Sequence, residues 1–353
     1  MATTIKDIAK KCGVGVSTVS RAINNHPDIN PETRAKVMKV IRETGFVPND
    51  SARFLKRTET NSVALLVKGI TNPFFTKMIR IMEEYIQEKD YATILRHVDH
   101  TEDEVVVAES LIKERRLKGI VFLGGAFTHD EKALRALGVP FIFATIGNME
   151  KIQASVKAAK KSGFAYANIA VDDVEEAKKA VNYLIGEGHH RIGIVTEGMN
   201  VPSVGQLRLK GYREALEENG LPYSEDLVYE VKEGIDHYTM PNGYQAAQAL
   251  MRKNPDMTAI FCISDVLAFG ACRAIIDEGR KIPDDISVVG YDGIEEGEYY
   301  NPRLTTVRQP VDQMAENAIE FLFCMIEKKR KPENMTMSAE LVIRESSGAA
   351  KKG

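Results

Sequence analysis

Cysteine is scarce and scattered in this chain. The four thiols, Cys12, Cys262, Cys272 and Cys324, form no CxxC pair among 353 residues. Neither a disulfide framework nor a zinc site is expected, and free thiols in a reducing cytosol fit better. Long apolar runs are missing too. None approaches the ~18 residues of a membrane span, and Lys6, Asp7, Lys10 and Lys11 interrupt any secretory core near the start. The expectation is a cytoplasmic protein with no membrane partner. No Walker loop is present and no GxGxxG follows an apolar run, so no nucleotide cofactor is expected. No nucleophile–base pairing or metal-ligand spacing stands out, and the chain is read as a non-enzyme without cofactor or metal.

What is present is ordinary in bulk and uneven in detail. With 44% hydrophobic and 27% charged residues, the chain can bury a substantial core, and its length allows two or more domains. Residues 1–60 hold 11 Lys and Arg against 6 Asp and Glu, a balance of +5, so the remainder carries −8 of the total −3. A basic head on an acidic body suits contact with a polyanion at one end only.

The head reads as short helices. Thr4 stands where it can cap a helix carrying Ile5, Ile8 and Ala9 at helical spacing. Asp7 takes the place where a longer Glu or Gln usually reaches back, so the capping box is expected to be imperfect. Gly13 suits a helix stop with positive φ. A second helix is predicted from about Val16 to Ile23, with Val19, Ala22 and Ile23 facing inward. Two short helices around a glycine turn make a helix-turn-helix, whose second helix enters the major groove. Small hydroxyl side chains at Ser17, Thr18 and Ser20 permit close approach, and Arg21 adds charge for the phosphates. A third helix starts with Asn30 as cap and Pro31 in its first turn, buries Val37, Val40 and Ile41, and ends at Gly45. Asn49 or Asp50 can then cap a short helix over 51–57, too short to be stable alone in water.

The run "TIKDIAKKCGV…STVSRAIN…INPETRAKVMKVIRETGFVPNDSARFLK" resembles the DNA-binding head of the LacI/GalR family of bacterial transcription regulators. The resemblance implies that Val16 and Ser17, just before "TVSR", read bases, and that Leu55 of "ARFL" wedges into the minor groove. The implied DNA-contacting set is Thr4, Val16, Ser17, Thr18, Ser20, Arg21, Asn24 and Leu55. Gly15 departs from the family's usual serine and costs one hydroxyl cap.

From Ser62 onward, apolar runs alternate with amphipathic segments. "SVALLV", "ATILRHV", "GIVFLG", "PFIFAT", "ANIAV", "RIGIVTE", "LVYEV", "TAIFCIS" and "SVVGYDG" read as buried strands of parallel sheets with helices on both faces. Two such arrays predict two lobes, with ligand at the carboxyl ends of the strands. "NPFF", "LRLKGYREAL", "TAIFCISDVLAFGA", "IPDDISVVGYDG" and "LTTVRQP" extend the family resemblance to about Ser347. The implied body is a two-lobed, periplasmic-binding-protein-like α/β fold. Its first lobe would be about 62–148 plus 311–338, and its second about 164–309 plus the final strand.

Carried over by motif, Arg208 and Asp292 become the polar anchors of the cleft, able to fix vicinal hydroxyls of a sugar. They also admit reading as an ordinary ion pair. Ser264 stands where the family often has a longer amide, and the neighbouring Asp265 is read as a helix cap. Asn72 and Thr145 would add contacts from the first lobe or simply cap turns. Phe74, Phe75 and Tyr238 would supply apolar faces, the two phenylalanines serving equally well as core. His189 and His190 belong to a strand-leading loop rather than a metal site. The basic segment with Lys151, Lys157, Lys160 and Lys161 is read as a solvated helix face.

The resulting expectation comprises a head over 1–48, a hinge over 49–61, a body over 62–347 and a tail over 348–353. It describes a dimeric, ligand-responsive repressor. The partners would be double-stranded operator DNA, a small-molecule effector of sugar type and a second copy of the chain. The alternative is a soluble carbohydrate-binding protein without regulatory function.

Overall fold

The computed structural model describes residues 4–23, 28–44, 46, 61–125, 129, 131–146, 166–198, 203–231, 237–329 and 333–351. Two compact units divide the chain, residues 1–60 and 61–353.

The head holds three helices, α1 (Ile5–Cys12), α2 (Val16–Ile23) and α3 (Pro31–Thr44). The capping box at α1 closes despite the short Asp7 side chain. Thr4 N donates to Asp7 Oδ2 at 2.9 Å while Asp7 N donates to Thr4 Oγ1 at 3.4 Å. The aspartate reaches because the Thr4 hydroxyl leans toward it, donating to the same carboxylate at 2.6 Å. Gly13 ends the helix at φ 65°, the left-handed conformation glycine tolerates. Asn30 Oδ1 accepts from Glu32 N at 2.8 Å and Thr33 N at 3.4 Å, starting α3 as expected. The core is small: Ile8, Ala9, Cys12, Val19, Ala22 and Val37, with Ile23, Val40 and Ile41 packed against it. Asn24, the 51–57 hinge helix and Leu55 lie outside the described residues.

In the body, β1 (Ser62–Lys68) leads to α4 (Pro73–Glu88), β2 (Ala92–Val98), α5 (Glu104–Glu114), β3 (Leu117–Leu123), α6 (Glu131–Ala136) and β4 (Phe141–Ala144). β5 (Tyr166–Val171) precedes α7 (Asp173–Gly186), β6 (Ile192–Glu197), α8 (Val204–Glu218), β7 (Val228–Val231), α9 (Met240–Lys253) and β8 (Ala259–Cys262). Next come α10 (Asp265–Asp277), β9 (Ser287–Asp292), α11 (Glu296–Tyr299) and β10 (Thr305–Arg308). α12 (Val311–Ile326), β11 (Met335–Met337) and β12 (Glu340–Val342) complete the described elements. Two six-stranded sheets result, ordered β11-β5-β4-β3-β1-β2 and β12-β10-β9-β8-β6-β7. Every pairing is parallel except β10–β12.

Alternation along β1 shows why the first sheet needs two covers. Val63, Leu65 and Val67 join the core beneath α4, while Ala64 and Leu66 join a second cluster with Val105, Ala108 and Leu134. Parallel strands buried on both faces read as continuous apolar runs, as these do. In the second lobe α9 and α10 pack so closely that a Cβ on Gly270 would run into the Met240 carbonyl oxygen.

One lobe boundary differs from the expectation. β5 pairs with β4 and β11, so "ANIAV" belongs to the first sheet rather than the second. An apolar run states that a strand is buried but not which sheet buries it. The chain therefore passes between lobes after Val171, near Gln309 and between β11 and β12. The last described residues are also bound in: Gly348 N donates to Ser287 Oγ at 3.1 Å and Ala350 N to Glu187 O at 2.8 Å. No described helix is long and apolar enough to cross a membrane.

Candidate functional site

On the head, α2 turns Val19 and Ala22 into the core and leaves Val16, Ser17 and Arg21 exposed, with Thr18 and Ser20 half-buried. Val16 is 42% exposed, high for a valine and matched by no core role. Gly15 O accepts from Thr18 N and Val19 N at 3.0 and 3.1 Å, so the helix begins at a residue with no side chain to cap it. Thr4 is different. Its hydroxyl is committed to Asp7.

In the body, the polar residues gather at the carboxyl ends of strands from both lobes. Asn72 follows β1 and caps α4 through Oδ1, which accepts from Phe74 N at 3.1 Å. Its amide nitrogen is left to reach the other lobe, donating to Asp292 Oδ2 at 2.9 Å. Gln309 Nε2 donates to the other oxygen, Asp292 Oδ1, at 2.8 Å. Arg208, projecting from α8, donates through Nε to Asp173 Oδ1 at 2.8 Å and through a terminal nitrogen to Ile263 O at 2.5 Å. That nitrogen lies 3.7 Å from Asp292 Oδ1, and the guanidinium stacks 3.6 Å over the Tyr291 ring. Tyr291 closes the ring of contacts by donating to Asp173 Oδ1 at 3.1 Å. At the far side, Glu197 accepts from Gly205 N at 2.9 Å and faces His237 at 3.5 Å. The His237 ring in turn lies 6.3 Å from that of His100 in the first lobe.

Burial governs the charges here. It opposes ionisation of Arg208, but Asp173, Tyr291 and Asp292 outweigh it and hold the guanidinium above its ordinary pKa. Burial pushes Asp292 up to about 6 against the pull of Arg208, Asn72 and Gln309. Asp173 is raised by burial with Arg208 pulling back, and the 2.8 Å contact to a cation that does not deprotonate keeps the pair charged. Burial also raises Glu197, but His237, Ser203 and the Gly205 N–H reverse it to a net lowering. Asp265 is pushed up to about 8, by burial first and by Asp292 next.

The expected residues therefore divide. Asn72, Arg208 and Asp292 meet in one network, and the half-buried Tyr238 has its phenol pKa pushed up by burial and by Glu197, with Arg208 and Asp292 in range. Thr145 stands apart: its hydroxyl accepts from Gly124 N at 3.2 Å. Thr145 and Asp292, one in each lobe, hold φ at 73° and 113°. Backbone of that kind costs of order 1–3 kcal/mol for non-glycine residues and collects at functional sites. Phe74 and Phe75 are 5% and 8% exposed and belong to the core. Asp265 is not the cap of α10. Ser264 is, accepting from Leu267 N at 3.3 Å. Asp265 instead takes Gly293 N and Ile294 N, both at 2.8 Å, and the Thr306 hydroxyl at 2.6 Å, so it fixes the loop after Asp292. Reading each residue on its own element favoured a local cap; the partners are 28 and more positions away. Asp173, Glu197, Tyr291 and Gln309 went unread in the sequence. The doubled acid Asp172-Asp173 directly after an apolar run was the available signal.

His189 uses both ring nitrogens, near Thr258 Oγ1 at 2.9 Å and Gly348 O at 3.0 Å. Among the described residues, Asp103, Glu104 and His129 are near enough to share a metal ion. Glu104 already spans His129 Nε2 at 2.9 Å and Lys68 Nζ at 3.2 Å, so an ammonium stands where a cation would.

Comparison with known proteins fits both units. Residues 4–49 match the model for bacterial regulatory proteins of the lacI family, and residues 181–347 that for a periplasmic binding protein-like domain. The HTH-type transcriptional regulator MalR of Clostridium butyricum is 38% identical over 349 residues, 97% of this chain and 98% of MalR. The chain belongs to the LacI family. DegA of Bacillus subtilis (strain 168), also an HTH-type transcriptional regulator, is 32% identical over 98% of each chain. The structure of a transcriptional regulator CelR–cellobiose complex superposes with a TM-score of 0.68 at 27% identity, covering 98% of this chain and 99% of that one. As a LacI-family member the chain is a ligand-responsive, DNA-binding transcription regulator, and the family resemblance read from the motifs holds. The curated relatives are regulators rather than enzymes.

Proposed function

We propose that this LacI-family regulator is a cytoplasmic repressor that binds a pseudo-palindromic operator as a homodimer and changes its grip when a small carbohydrate enters the cleft between lobes. The observation that carries the reading is the network joining Asn72 of the first lobe to Asp292 and Arg208 of the second. Asp292 and Arg208 offer acceptors and a fork of donors, the complement of vicinal hydroxyls. A ligand that inserts between Asn72 and Asp292 must change the spacing of the lobes. Such a ligand shifts the equilibrium by its differential affinity for the two spacings, and a coupling of ~1–3 kcal/mol alters operator affinity about 5- to 150-fold. The chemistry is binding, not turnover.

On the head, Val16 and Ser17 read base edges while Thr18, Ser20, Arg21 and Asn24 contact the backbone and flanking bases. Thr4 contributes by fixing α1 and through its position at the helix start. Leu55 supplies the minor-groove wedge. In the cleft, Asn72, Arg208, Tyr238 and Asp292 touch ligand. Thr145, Ser264, Phe74 and Phe75 support these residues from the packed interior.

Mobility-shift titration of the full-length protein against palindromic duplexes, with and without glucose, ribose, maltose and cellobiose, tests this reading. Asp292→Ala should keep ligand-free operator binding and lose the sugar response; a sugar response of full size in that variant defeats the cleft assignment. Leu55→Ala should weaken specific binding far more than non-specific binding at fixed salt, and an equal loss of both defeats the wedge. A chain that bound sugar but preferred no duplex sequence would be the carbohydrate-binding protein of the alternative reading.

A further inference from the structure

Much of the Arg208 guanidinium is already engaged within the protein. Nε is held by Asp173, one terminal nitrogen by Ile263 O with Asp292 nearby, and one face by the Tyr291 ring. Beside this cation stand two carboxylates, Asp173 and Asp292, at 1% and 4% exposure. Other bases toward the cleft carry their own acids. Lys68 and His129 share Glu104, His100 meets Asp99 at 3.2 Å, and His237 meets Glu197. Among the described residues the cleft therefore holds an excess of negative charge and of acceptors. Asp173 Oδ2 sharpens the point, because it is buried and receives no hydrogen bond.

Resting on the reading of this cleft as the effector site, we propose that Asp173 acts as a charge filter: with Arg208 neutralised from within, the site takes uncharged polyhydroxyl ligands and turns away their phosphorylated and carboxylated derivatives. Hydroxyl groups bring donors to Asp292 and Glu197. A phosphate brings only acceptors and like charge into a desolvated space, where opposition between like charges is strongest. Asp173 is a positioning residue, setting specificity through Arg208.

The test uses the full-length protein and titration calorimetry. Glucose with glucose 6-phosphate and ribose with ribose 5-phosphate form matched pairs, and inorganic phosphate is titrated separately into wild type and Asp173→Asn. Each ester should bind wild type at least about 100-fold more weakly than its parent where the parent binds. Asp173→Asn should bind inorganic phosphate at least about tenfold more tightly than wild type, a gain that loss of structure cannot produce. Glu197→Gln, which removes one charge without touching the Arg208 partner, should give a smaller gain in the same direction. An ester binding wild type as well as its parent overturns the filter, as does a folded Asp173→Asn with no gain for phosphate. If neither variant gains phosphate affinity, the filter is likewise overturned. The phosphate arm is independent of operator response, so a filter that works in a protein whose DNA binding ignores every sugar would defeat the regulatory reading alone.

Discussion

The two lobes share one architecture, a parallel sheet wrapped by helices, yet they meet the cleft with unlike chemistry. The second lobe brings Asp173, Glu197, Arg208 and Asp292, all buried and all ionisable. The first brings Asn72, an amide, and Thr145, a hydroxyl, and keeps its charges matched in the Lys68–Glu104–His129 cluster. Charges buried in one rigid body are prepared before any ligand arrives, whereas a neutral donor such as the Asn72 amide can let go cheaply. The difference assigns recognition to the second lobe and response to the first. A buried ion network is costly to disturb, at about 3–5 kcal/mol for removing one partner, while a single hydrogen bond from a neutral donor to a carboxylate contributes about 1.5–3 kcal/mol.

If the second lobe is the prepared partner, Arg208→Met should be the most damaging change, because it strands Asp173 and Asp292 without their cation. Urea denaturation should show a loss of about 3–5 kcal/mol, and a loss under about 1 kcal/mol would erase the contrast between the lobes. Next in size is a dependence on pH. Folding raises Asp292 to about 6 and Asp265 to about 8 from the ordinary aspartate value of 3.8. The folded state therefore holds protons that the unfolded chain has lost. The stability these groups confer is present below pH 4 and disappears as pH climbs, by about 6 for Asp292 and about 8 for Asp265. Asp265→Asn and Asp292→Asn should each flatten the decline between pH 4 and 8 relative to wild type; an unchanged slope would contradict the burial assigned to them. Asn72→Ala should cost less, about 1.5–3 kcal/mol, leaving one carboxylate oxygen short of a donor. Small-angle scattering should nevertheless show a larger radius of gyration, because this bond joins the lobes, and an unchanged radius would deny the first lobe its responsive role. The smallest effect belongs to Lys77→Ala, whose partner Asp312 lies within the first lobe and in solvent. Its change should stay within about 0.5 kcal/mol by the same denaturation.

Much of this was legible in the residues. The helices of the head follow from caps and breakers, and Val16–Ile23 falls on the predicted span. The strands of the body follow from their apolar runs. Local grammar ran out wherever a partner lies far along the chain. β5 reads as a strand but takes its sheet from β4 and β11, and Asp265 reads as a cap but serves Gly293, Ile294 and Thr306. Asp173 was hard to read for the same reason: the doubled acid marks it, but nothing beside it announces Arg208, 35 residues on. Asp7 marks the opposite error: a rule about side-chain length gave way because the Thr4 hydroxyl came to meet the carboxylate.

The threefold passage between lobes has a consequence for how the body is made. β11 edges one sheet and β12 edges the other, and both come from the final stretch of the chain. No contiguous fragment of the coding sequence specifies either half, and neither can be completed on the ribosome before nearly the whole polypeptide has emerged. The nascent first half must wait with an open strand edge beside Tyr166–Val171, the condition under which growing chains are most exposed to mispairing.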